Sequence, residues 1–134
     1  MTKFRLDVVT PDGEVFSGEC ESLTVTTETG DREFLAGHID FIAPVSTGKA
    51  RIKIDGVDKY AAVSRGIVTV KGGKVSLAAV TFEFAEDIDL ERARRALDIA
   101  REKIREEKDA KALTLAKAKL ERALSRINVG EHYK

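Results

Sequence analysis

Residues 81–93, which read TFEFAEDIDLERA, decide the fold of this chain. The strand-like pair Phe82 and Phe84 runs into Glu86-Asp87-Ile88-Asp89, where two aspartates compete to cap the helix that follows. Acidic residues at such a position also complement the positive end of a helix dipole. The chain therefore changes here from a β-patterned segment to a helical one.

Before this junction the hydrophobic pattern has a period of two. Apolar residues alternate with polar ones in short runs, at Phe4, Leu6 and Val8, at Ile52 and Ile54, at Val68 and Val70, and at Val75, Leu77 and Ala79. Turn signals separate the runs at Pro11-Asp12-Gly13, Thr29-Gly30-Asp31, Asp55-Gly56 and Gly72-Gly73. Many short alternating strands with close turns predict an antiparallel sandwich or barrel.

After the junction the hydrophobic period becomes helical. Two matched stripes step by three and four residues, one at Leu90, Ala93, Leu97, Ala100 and Ile104, the other at Leu113, Ala116, Leu120, Ala123 and Ile127. The polar segment Glu106-Glu107-Lys108-Asp109 interrupts them, which predicts an antiparallel helical hairpin. Alanine-rich stripes bury little area, so the hairpin gains only a few kcal/mol from its own seam, at about 25 cal/mol per Å². It could therefore exist docked or detached.

The composition argues against several classes of function. The chain of 134 residues has 23 Lys plus Arg and 23 Asp plus Glu, so no global field favours nucleic acid or an anionic membrane. The single cysteine, Cys20, excludes an internal disulfide. No apolar run approaches a bilayer span, and residues 1–5 lack a signal-peptide core. We expect a soluble, cytoplasmic chain whose membrane association comes through partners.

Catalytic motifs are missing from the sequence. It contains no Gly-rich phosphate loop followed by lysine and no metal-spaced cluster of histidine and cysteine. His38 lies in an apparent loop, where a hydrogen-bonding turn residue or a partner contact are both more frequent than a catalyst. We therefore expect a non-enzymatic protein with no catalytic cofactor and no metal site.

The arginines near the junction have a more specific pattern. Asp89 and Arg92 are three residues apart on the first helix, and Arg122 and Arg126 are four apart on the second. An antiparallel hairpin returns the end of the second helix to the start of the first, so the three arginines can converge on a polyphosphate. The alternative is ordinary surface pairing with residues such as Glu121, worth about 0–1 kcal/mol each. Sequence physics alone leaves both interpretations open.

Several segments occur in a specific order along the whole chain: residues 6–13 (LDVVTPDG), Gly37-His38-Ile39, Val63-Ser64-Arg65-Gly66 and the C-terminal helical hairpin. In this order of parts the chain resembles the epsilon subunit of bacterial F-type ATP synthases. The resemblance implies an α+β protein, with an antiparallel β-sandwich in residues 1–85 and an antiparallel two-helix hairpin in residues 86–134.

The resemblance also implies a function. Subunits of that family sit on the rotating central stalk, where the sandwich contacts the gamma subunit and the c ring. The extended hairpin inhibits ATP hydrolysis by the catalytic alpha and beta subunits, and the folded hairpin does not. The protein would then be peripheral, at the cytoplasmic face of the cell membrane, and bound there only through the complex.

In several bacterial members the folded hairpin binds ATP through the motif Ile/Leu-Asp-x-x-Arg-Ala, which is complete here at residues 88–93. ATP would act as a regulatory ligand, and the motif leaves open whether magnesium accompanies it. Ile88, Asp89 and Ala93 would surround the adenine, with arginines on the phosphates. The full expected ATP set is Glu83, Ile88, Asp89, Arg92, Ala93, Arg122 and Arg126.

Some positions depart from the family pattern. The usual Gly-His-x-Pro is Gly37-His38-Ile39-Asp40, the segment before it reads Gly30-Asp31-Arg32-Glu33-Phe34, and Arg65 replaces the first glycine of Ser-Gly-Gly. A further family arginine late on the first helix has Ile99 and Arg101 in its neighbourhood here. The resemblance still implies subunit contacts at Asp31, Arg32 and His38.

Two alternatives remain beside the ATP sensor. The hairpin could be a purely mechanical coupling and inhibitory element whose arginines meet acidic surfaces of the catalytic head. The chain could also be a β-sandwich adaptor with a helical hairpin, unrelated to any rotary machine.

Overall fold

The computed structural model describes residues 2–134 and contains eight strands followed by two long helices. The strands are β1 (Phe4–Thr10), β2 (Gly13–Cys20), β3 (Ser22–Thr27), β4 (Gly30–Leu35), β5 (Phe41–Val45), β6 (Gly48–Ile54), β7 (Val57–Lys71) and β8 (Lys74–Phe84). A 3₁₀ turn (Ala85–Asp87) leads into α1 (Leu90–Glu106) and α2 (Ala110–His132). The predicted class, an α+β protein with a sandwich before a helical hairpin, is confirmed.

The strands are hydrogen bonded in the order β2-β1-β8-β7-β6-β3-β4, and β5 pairs with β7. All pairings are antiparallel except that of β1 with β8, which run parallel with Leu6 opposite Val75. Alternation has the same period of two in both kinds of pairing, so the sequence pattern could not reveal this parallel pair.

The long strand β7 serves both layers of the sandwich. Its first half pairs with β6, and its second half pairs with β5, while β8 follows it along both halves. Gly66 lies where β7 passes from one layer to the other. A Cβ atom at Gly66 would lie 2.3 Å from the carbonyl oxygen of Ala78, so only glycine allows β8 to approach this closely.

The core lies between the two layers and is built from the alternating residues. Phe4, Leu6, Val8, Ile52, Val68, Val70, Val75, Leu77 and Ala79 are all buried there. Ile54 is only partly buried at its edge. The sequence pattern therefore identified which face of each of these strands points inward.

The helical hairpin lies folded against the outside of the sandwich, with α2 on β7 and β6. On the hairpin's inner stripes Ala93, Leu97, Ala100, Ala116 and Ala123 are buried, as predicted. The Ser125 hydroxyl donates a 2.7 Å hydrogen bond to the Gly48 carbonyl oxygen, which ties α2 to β6.

A second, small apolar cluster joins α2 to the segment between β8 and α1 (residues 85–89), which we call the hinge. Ala62, Ala85, Ile88 and Val129 form it, and all four are buried. This cluster is separate from the sandwich core, so the hairpin can be considered a docked element with its own small interface. Within residues 2–134, neither helix combines the length and the apolar character needed to cross a membrane.

Candidate functional site

The predicted ligand motif, residues 88–93, spans the end of the hinge (Ile88 and Asp89) and the first turn of α1. Ile88 is 1% exposed and packs into the small hinge cluster, and Ala93 is 4% exposed on the seam between the helices. Their side chains therefore hold the folded hairpin together. A nucleotide could reach this part of the motif through backbone atoms and the exposed members Asp89 and Arg92.

Asp89 is the N-cap residue of α1. Its Oδ1 atom accepts a 3.1 Å hydrogen bond from the backbone N–H of Arg92. The acid and base that stand three residues apart in sequence are thus joined through the backbone, which is the ordinary geometry of a helix cap. The Arg92 guanidinium is left exposed to solvent.

Glu83 and Arg126 connect the sheet to the second helix. The Nε atom of Arg126 lies 3.5 Å from Oε1 of Glu83, and the two side chains are 30% and 39% exposed. Glu83 stands opposite Ala62 at the end of the β7–β8 ladder, on the face that α2 covers. Two of the predicted site residues, far apart in sequence, are therefore brought into contact by hairpin docking.

A cleft of about 420 Å³ runs between the two helices. Its lining residues are Ala96, Ile99, Ala100 and Lys103 from α1, and Ala112, Leu115, Ala116, Lys119, Arg122 and Arg126 from α2. Four of these residues are cationic and none is acidic. The cleft therefore presents positive charge on small apolar walls, which suits an anionic ligand with an apolar part.

The spacing of the residues explains why the helices form this cleft. On α1, Ala96, Ala100 and Lys103 are spaced by four and three residues, and the lining positions of α2 from Ala112 to Arg126 also step by three and four. Residues at this spacing share one helix edge, and the short alanine side chains leave the space between the two edges unfilled. Arg122 and Arg126 also cover Ser64 and Thr81 of the sheet, so they form the floor of the cleft at its sandwich side.

The predicted convergence of three arginines is present in part. Arg122 and Arg126 share the cleft, whereas Arg92 is exposed and does not line it. Arg92 stands four residues before Ala96, so it continues the same edge of α1 toward the hinge. Within residues 2–134, Arg122 forms no ion pair, and Glu121 is not the partner of either arginine. The complete ATP set stays a prediction.

Sequence reasoning did not single out Lys103 and Lys119 as site residues. Both lie among many other charged residues on the helices, and nothing in the charge pattern alone separates them from solvent-facing lysines. Spacing alone could have identified Lys119, which stands three residues before Arg122 and seven before Arg126 on the same helix edge.

The residues predicted to contact other subunits lie on the sandwich. Asp31 and Arg32 are exposed on β4, and the Arg32 guanidinium carbon lies 4.2 Å above the ring centroid of Phe41. The imidazole of His38 stacks on the same ring, with centroids 5.7 Å apart. Ile39, next to His38 in the loop, is 80% exposed, and Ile42, on the opposite face of β5 from Phe41, is 70% exposed. A large apolar side chain therefore lies next to His38 on the surface.

Asp40, at the position where the resemblance implies proline, has a local role. Its carboxylate accepts a 3.0 Å hydrogen bond from the backbone N–H of Gly72, in the turn between β7 and β8. The Asp40 side chain thus joins two neighbouring loops. Among residues 2–134, no group of three or more His, Cys, Asp or Glu side chains is arranged to hold a metal ion.

Residues 3–85 match the family model described as "ATP synthase, Delta/Epsilon chain, beta-sandwich domain". Residues 86–131 match the model "ATP synthase, Delta/Epsilon chain, long alpha-helix domain". The chain belongs to the ATP synthase epsilon family. The resemblance noted in the sequence is confirmed, and the unrelated adaptor is excluded by this membership.

Curated relatives of the family match along nearly the whole chain. The ATP synthase epsilon chain of Bacillus velezensis is 37% identical over 129 residues, covering 96% of this chain and 98% of the relative. That of Shouchella clausii is 38% identical over 133 residues, covering 98% of each.

Solved structures share the fold. A chain of the Euglena gracilis mitochondrial ATP synthase, in an assembly with OSCP, F1 and the c-ring, matches with a TM-score of 0.80 and 22% identity, covering 98% of this chain and 83% of that one. A chain of the Tetrahymena thermophila mitochondrial ATP synthase central stalk and c-ring matches with a TM-score of 0.67 and 12% identity, covering 96% and 97%. These matches show that the chain shares the fold of those two chains.

Proposed function

We propose that this chain is a rotor subunit that couples the gamma subunit to the c ring and inhibits ATP hydrolysis through its hairpin. We further propose that ATP binds the folded hairpin and thereby opposes inhibition. The observation that carries this proposal is the acid-free cationic cleft between α1 and α2, which exists only while the helices lie side by side. The chain itself acts as a regulator rather than a catalyst.

The position of the cleft links ligand binding to hairpin conformation. Arg122 and Arg126 lie between the cleft and the sheet, and Arg126 already contacts Glu83. An anion bound there would offset the mutual repulsion of the cations and would hold both helices against the sandwich. It would therefore bind the folded form more tightly than an extended form, which is the condition for shifting the equilibrium between them.

The size of the shift depends on affinity. A ligand at about 100 times its dissociation constant stabilises the binding form by about 2.7 kcal/mol, and a ligand near its dissociation constant shifts the equilibrium only about twofold. The apolar cluster at the hinge and the alanine-rich seam bury few large side chains. A modest binding free energy can therefore shift the equilibrium between the docked and the extended hairpin.

The sandwich supplies the proposed stalk contacts. One surface combines the exposed Ile39, its neighbour His38, and Arg32, which packs on the same Phe41 ring as His38. Such exposed apolar side chains are typical of surfaces that a partner covers. We assign this surface to the c ring, and place the protein at the cytoplasmic face of the membrane, bound through the complex.

Nucleotide binding by the isolated full chain tests the sensor. Arg126→Ala removes a cleft cation, Arg92→Ala removes the cation at the hinge end, and Arg105→Ala is the control, because Arg105 is exposed on α1 and does not line the cleft. We expect both Arg126→Ala and Arg92→Ala to weaken ATP binding in calorimetry, and Arg105→Ala to leave it unchanged. Wild-type binding no tighter than that of the variants would contradict the sensor.

A second experiment separates the sensor from the purely mechanical hairpin. ATP hydrolysis by the reconstituted catalytic head with this subunit is measured while the ATP concentration is raised. Sensing predicts that inhibition decreases with ATP and that Arg126→Ala removes this dependence. Inhibition that responds to salt but not to ATP would favour the mechanical role.

A further inference from the structure

The Thr26 side chain binds the backbone of β6 where the pairing between β3 and β6 ends. The register of the two strands stops at Val25 and Ala50. Beyond that pair, the Oγ1 atom of Thr26 accepts a 3.4 Å hydrogen bond from the backbone N–H of Lys49. A Cβ atom at Gly48 would lie 2.8 Å from the same Oγ1 atom, so glycine allows the Thr26 side chain to pack against β6. Thr26 thus fixes the peptide group between Gly48 and Lys49.

The other side of this peptide group receives the hairpin. Its carbonyl oxygen, on Gly48, accepts the 2.7 Å hydrogen bond from the Ser125 hydroxyl of α2. The peptide is trans, so its N–H and its C=O point in opposite directions, and Thr26 and Ser125 bind the same planar unit from two sides. Hydrogen bonds in such a chain polarise one another. The bond from Ser125 therefore strengthens when Thr26 becomes a better acceptor.

The Thr26 hydroxyl in turn donates to a carboxylate on the edge strand β4. Asp31 is the cross-strand partner of Thr26, and its Oδ1 atom lies 3.3 Å from Thr26 Oγ1. A hydrogen bond to an ionised carboxylate is roughly twice as strong as a neutral one. The other acceptor within reach, the Lys49 carbonyl oxygen, also lies 3.3 Å away but is uncharged. Because a hydroxyl has only one proton, the charge of Asp31 directs it toward β4.

We propose that Thr26 is a positioning residue in a hydrogen-bond relay that connects the docked hairpin to Asp31. The relay runs from the Ser125 hydroxyl through the peptide between Gly48 and Lys49 to the Thr26 hydroxyl and the Asp31 carboxylate. Every donor in it points toward the carboxylate, and a charged acceptor at the end of such a chain strengthens the bonds before it. Asp31 therefore stabilises a contact between α2 and β6 that its own side chain does not touch.

The relay gives a partner of the sandwich an influence on the hairpin. Asp31 is exposed, and within residues 2–134 its carboxylate forms no ion pair. A cationic group of a stalk partner that binds Asp31 would compete with Thr26 for the carboxylate and would weaken docking of the hairpin. By linkage, the docked hairpin would weaken that contact equally. This step rests on the proposed stalk contact, whereas the relay is a property of the chain alone.

A double-mutant cycle in the full chain tests the relay. Asp31→Asn removes the charge but keeps an oxygen acceptor, and Ser125→Ala removes the first donor. Glu33→Gln is the matched control, because Glu33 is an exposed carboxylate of β4 that contacts Arg51 instead of Thr26. Hydrogen exchange of the α2 amides measures docking. Circular dichroism shows whether each variant keeps its fold.

We expect Ser125→Ala to speed exchange of α2 by about three- to fivefold, the effect of one lost hydrogen bond, and Asp31→Asn by about twofold. In the Ser125→Ala background, Asp31→Asn should have no further effect. Glu33→Gln should match the wild type. Thr26→Ser keeps the hydroxyl and should preserve the response to Asp31→Asn, whereas Thr26→Val should abolish it.

The inference fails if the effects of Asp31→Asn and Ser125→Ala simply add, or if Glu33→Gln speeds exchange as much as Asp31→Asn does. The same exchange measurement with bound gamma subunit and c ring tests the influence of the partner. Binding should speed exchange of α2 in the wild type more than in Asp31→Asn, and an equal change in both would overturn that influence. If the wild type binds neither partner, the proposed stalk function fails, and a non-additive cycle in the isolated chain would still support the relay.

Discussion

The rings of Tyr60 on β7 and Tyr133 just after α2 are stacked, with centroids 4.1 Å apart and planes inclined by 23°. Lys49 donates a 3.1 Å hydrogen bond to the Tyr133 hydroxyl and lies 4.6 Å from the centroid of its ring. Lys134 donates to the backbone carbonyl of Ile88 in the hinge. The residues that follow α2 therefore fasten the folded hairpin to the sandwich and to its own hinge.

Replacing Tyr133 should loosen the docked hairpin. Tyr133→Ala removes the stack, the hydrogen bond and the cation–π contact, and we expect it to reduce the free energy of docking by about 1–2 kcal/mol. Hydrogen exchange of the α2 amides measures this directly, because opening of the hairpin exposes them. Tyr133→Phe keeps the stack but loses the bond from Lys49, so its exchange rates should fall between those of Tyr133→Ala and the wild type. Equal exchange in all three proteins would show that the stack does not hold the hairpin.

Gly130 allows the end of α2 to pack closely against the hinge. A Cβ atom there would lie 2.8 Å from Leu90 Cδ2 and 3.0 Å from Ile88 Cγ2. Gly130→Val should therefore weaken docking by about 1–3 kcal/mol, the usual cost of overpacking. In the undocked hairpin the added side chain would not clash with these residues, so the substitution destabilises only the docked form. We expect stronger inhibition of ATP hydrolysis by the variant in the reconstituted complex.

Asn128→Val is the control for Gly130→Val, because Asn128 is exposed on the same helix and receives the same new side chain. It should leave docking and inhibition unchanged. If both variants loosen the hairpin equally, the cause is the reduced helix propensity of valine and not the contact with Ile88 and Leu90.

Strand β7 shows how much of this fold could be predicted from the sequence. Alternation located the inward residues of most strands, but Ala61, Ala62, Val63 and Ser64 are buried consecutively. Ala61 and Val63 face the sandwich core, and Ala62 faces the hinge cluster beneath α2. A strand covered on both faces shows no alternation, and the alternation rule therefore could not locate the helix that covers β7.

The candidate site was predictable only where local spacing determines it. Helical spacing placed Arg122 and Arg126 together, and the cap chemistry of Asp89 follows from its place before Leu90. The contact of Arg126 with Glu83 depends on how the hairpin docks, which is a tertiary relationship that no local pattern encodes. The same holds for burial of the Ile88 side chain, which depends on α2 returning to the hinge.

The two helix caps of the hairpin give a matched comparison. The Asp89 carboxylate accepts a 3.1 Å hydrogen bond from the backbone N–H of Arg92, and the Asp109 carboxylate accepts a 2.9 Å hydrogen bond from the backbone N–H of Ala112. Asp89→Ala and Asp109→Ala should each cost about 1 kcal/mol of helix stability. Only Asp89 lies in the proposed nucleotide motif, at the hinge. We therefore expect similar losses of helicity by circular dichroism, and weaker ATP binding for Asp89→Ala alone. If both variants lose ATP binding equally, Asp89 acts only as a helix cap.

Asp7 should make the sandwich sensitive to acid. Lys74 lies 2.8 Å from one carboxylate oxygen, and Ser17 donates a 2.7 Å hydrogen bond to the other. These hydrogen bonds, from Lys74 first and then Ser17, lower the pKa of Asp7 from 3.8 to about 2. A carboxylate with a lowered folded-state pKa stabilises the fold fully above its ordinary pKa. That contribution is lost as the pH falls from about 4 through 2.

The substitution Asp7→Asn tests this, because asparagine does not titrate. The variant should be less stable near neutral pH, since it loses the charged partner of Lys74, and its denaturant midpoint should vary less between about pH 4 and pH 2. Asp12→Asn is the control, because Asp12 is exposed in the turn between β1 and β2. If Asp7→Asn keeps the full acid dependence of the wild type, other carboxylates cause it. If it flattens the dependence, the contact that joins β1 to both its neighbours, β2 and the parallel strand β8, is the acid-labile point of the sandwich.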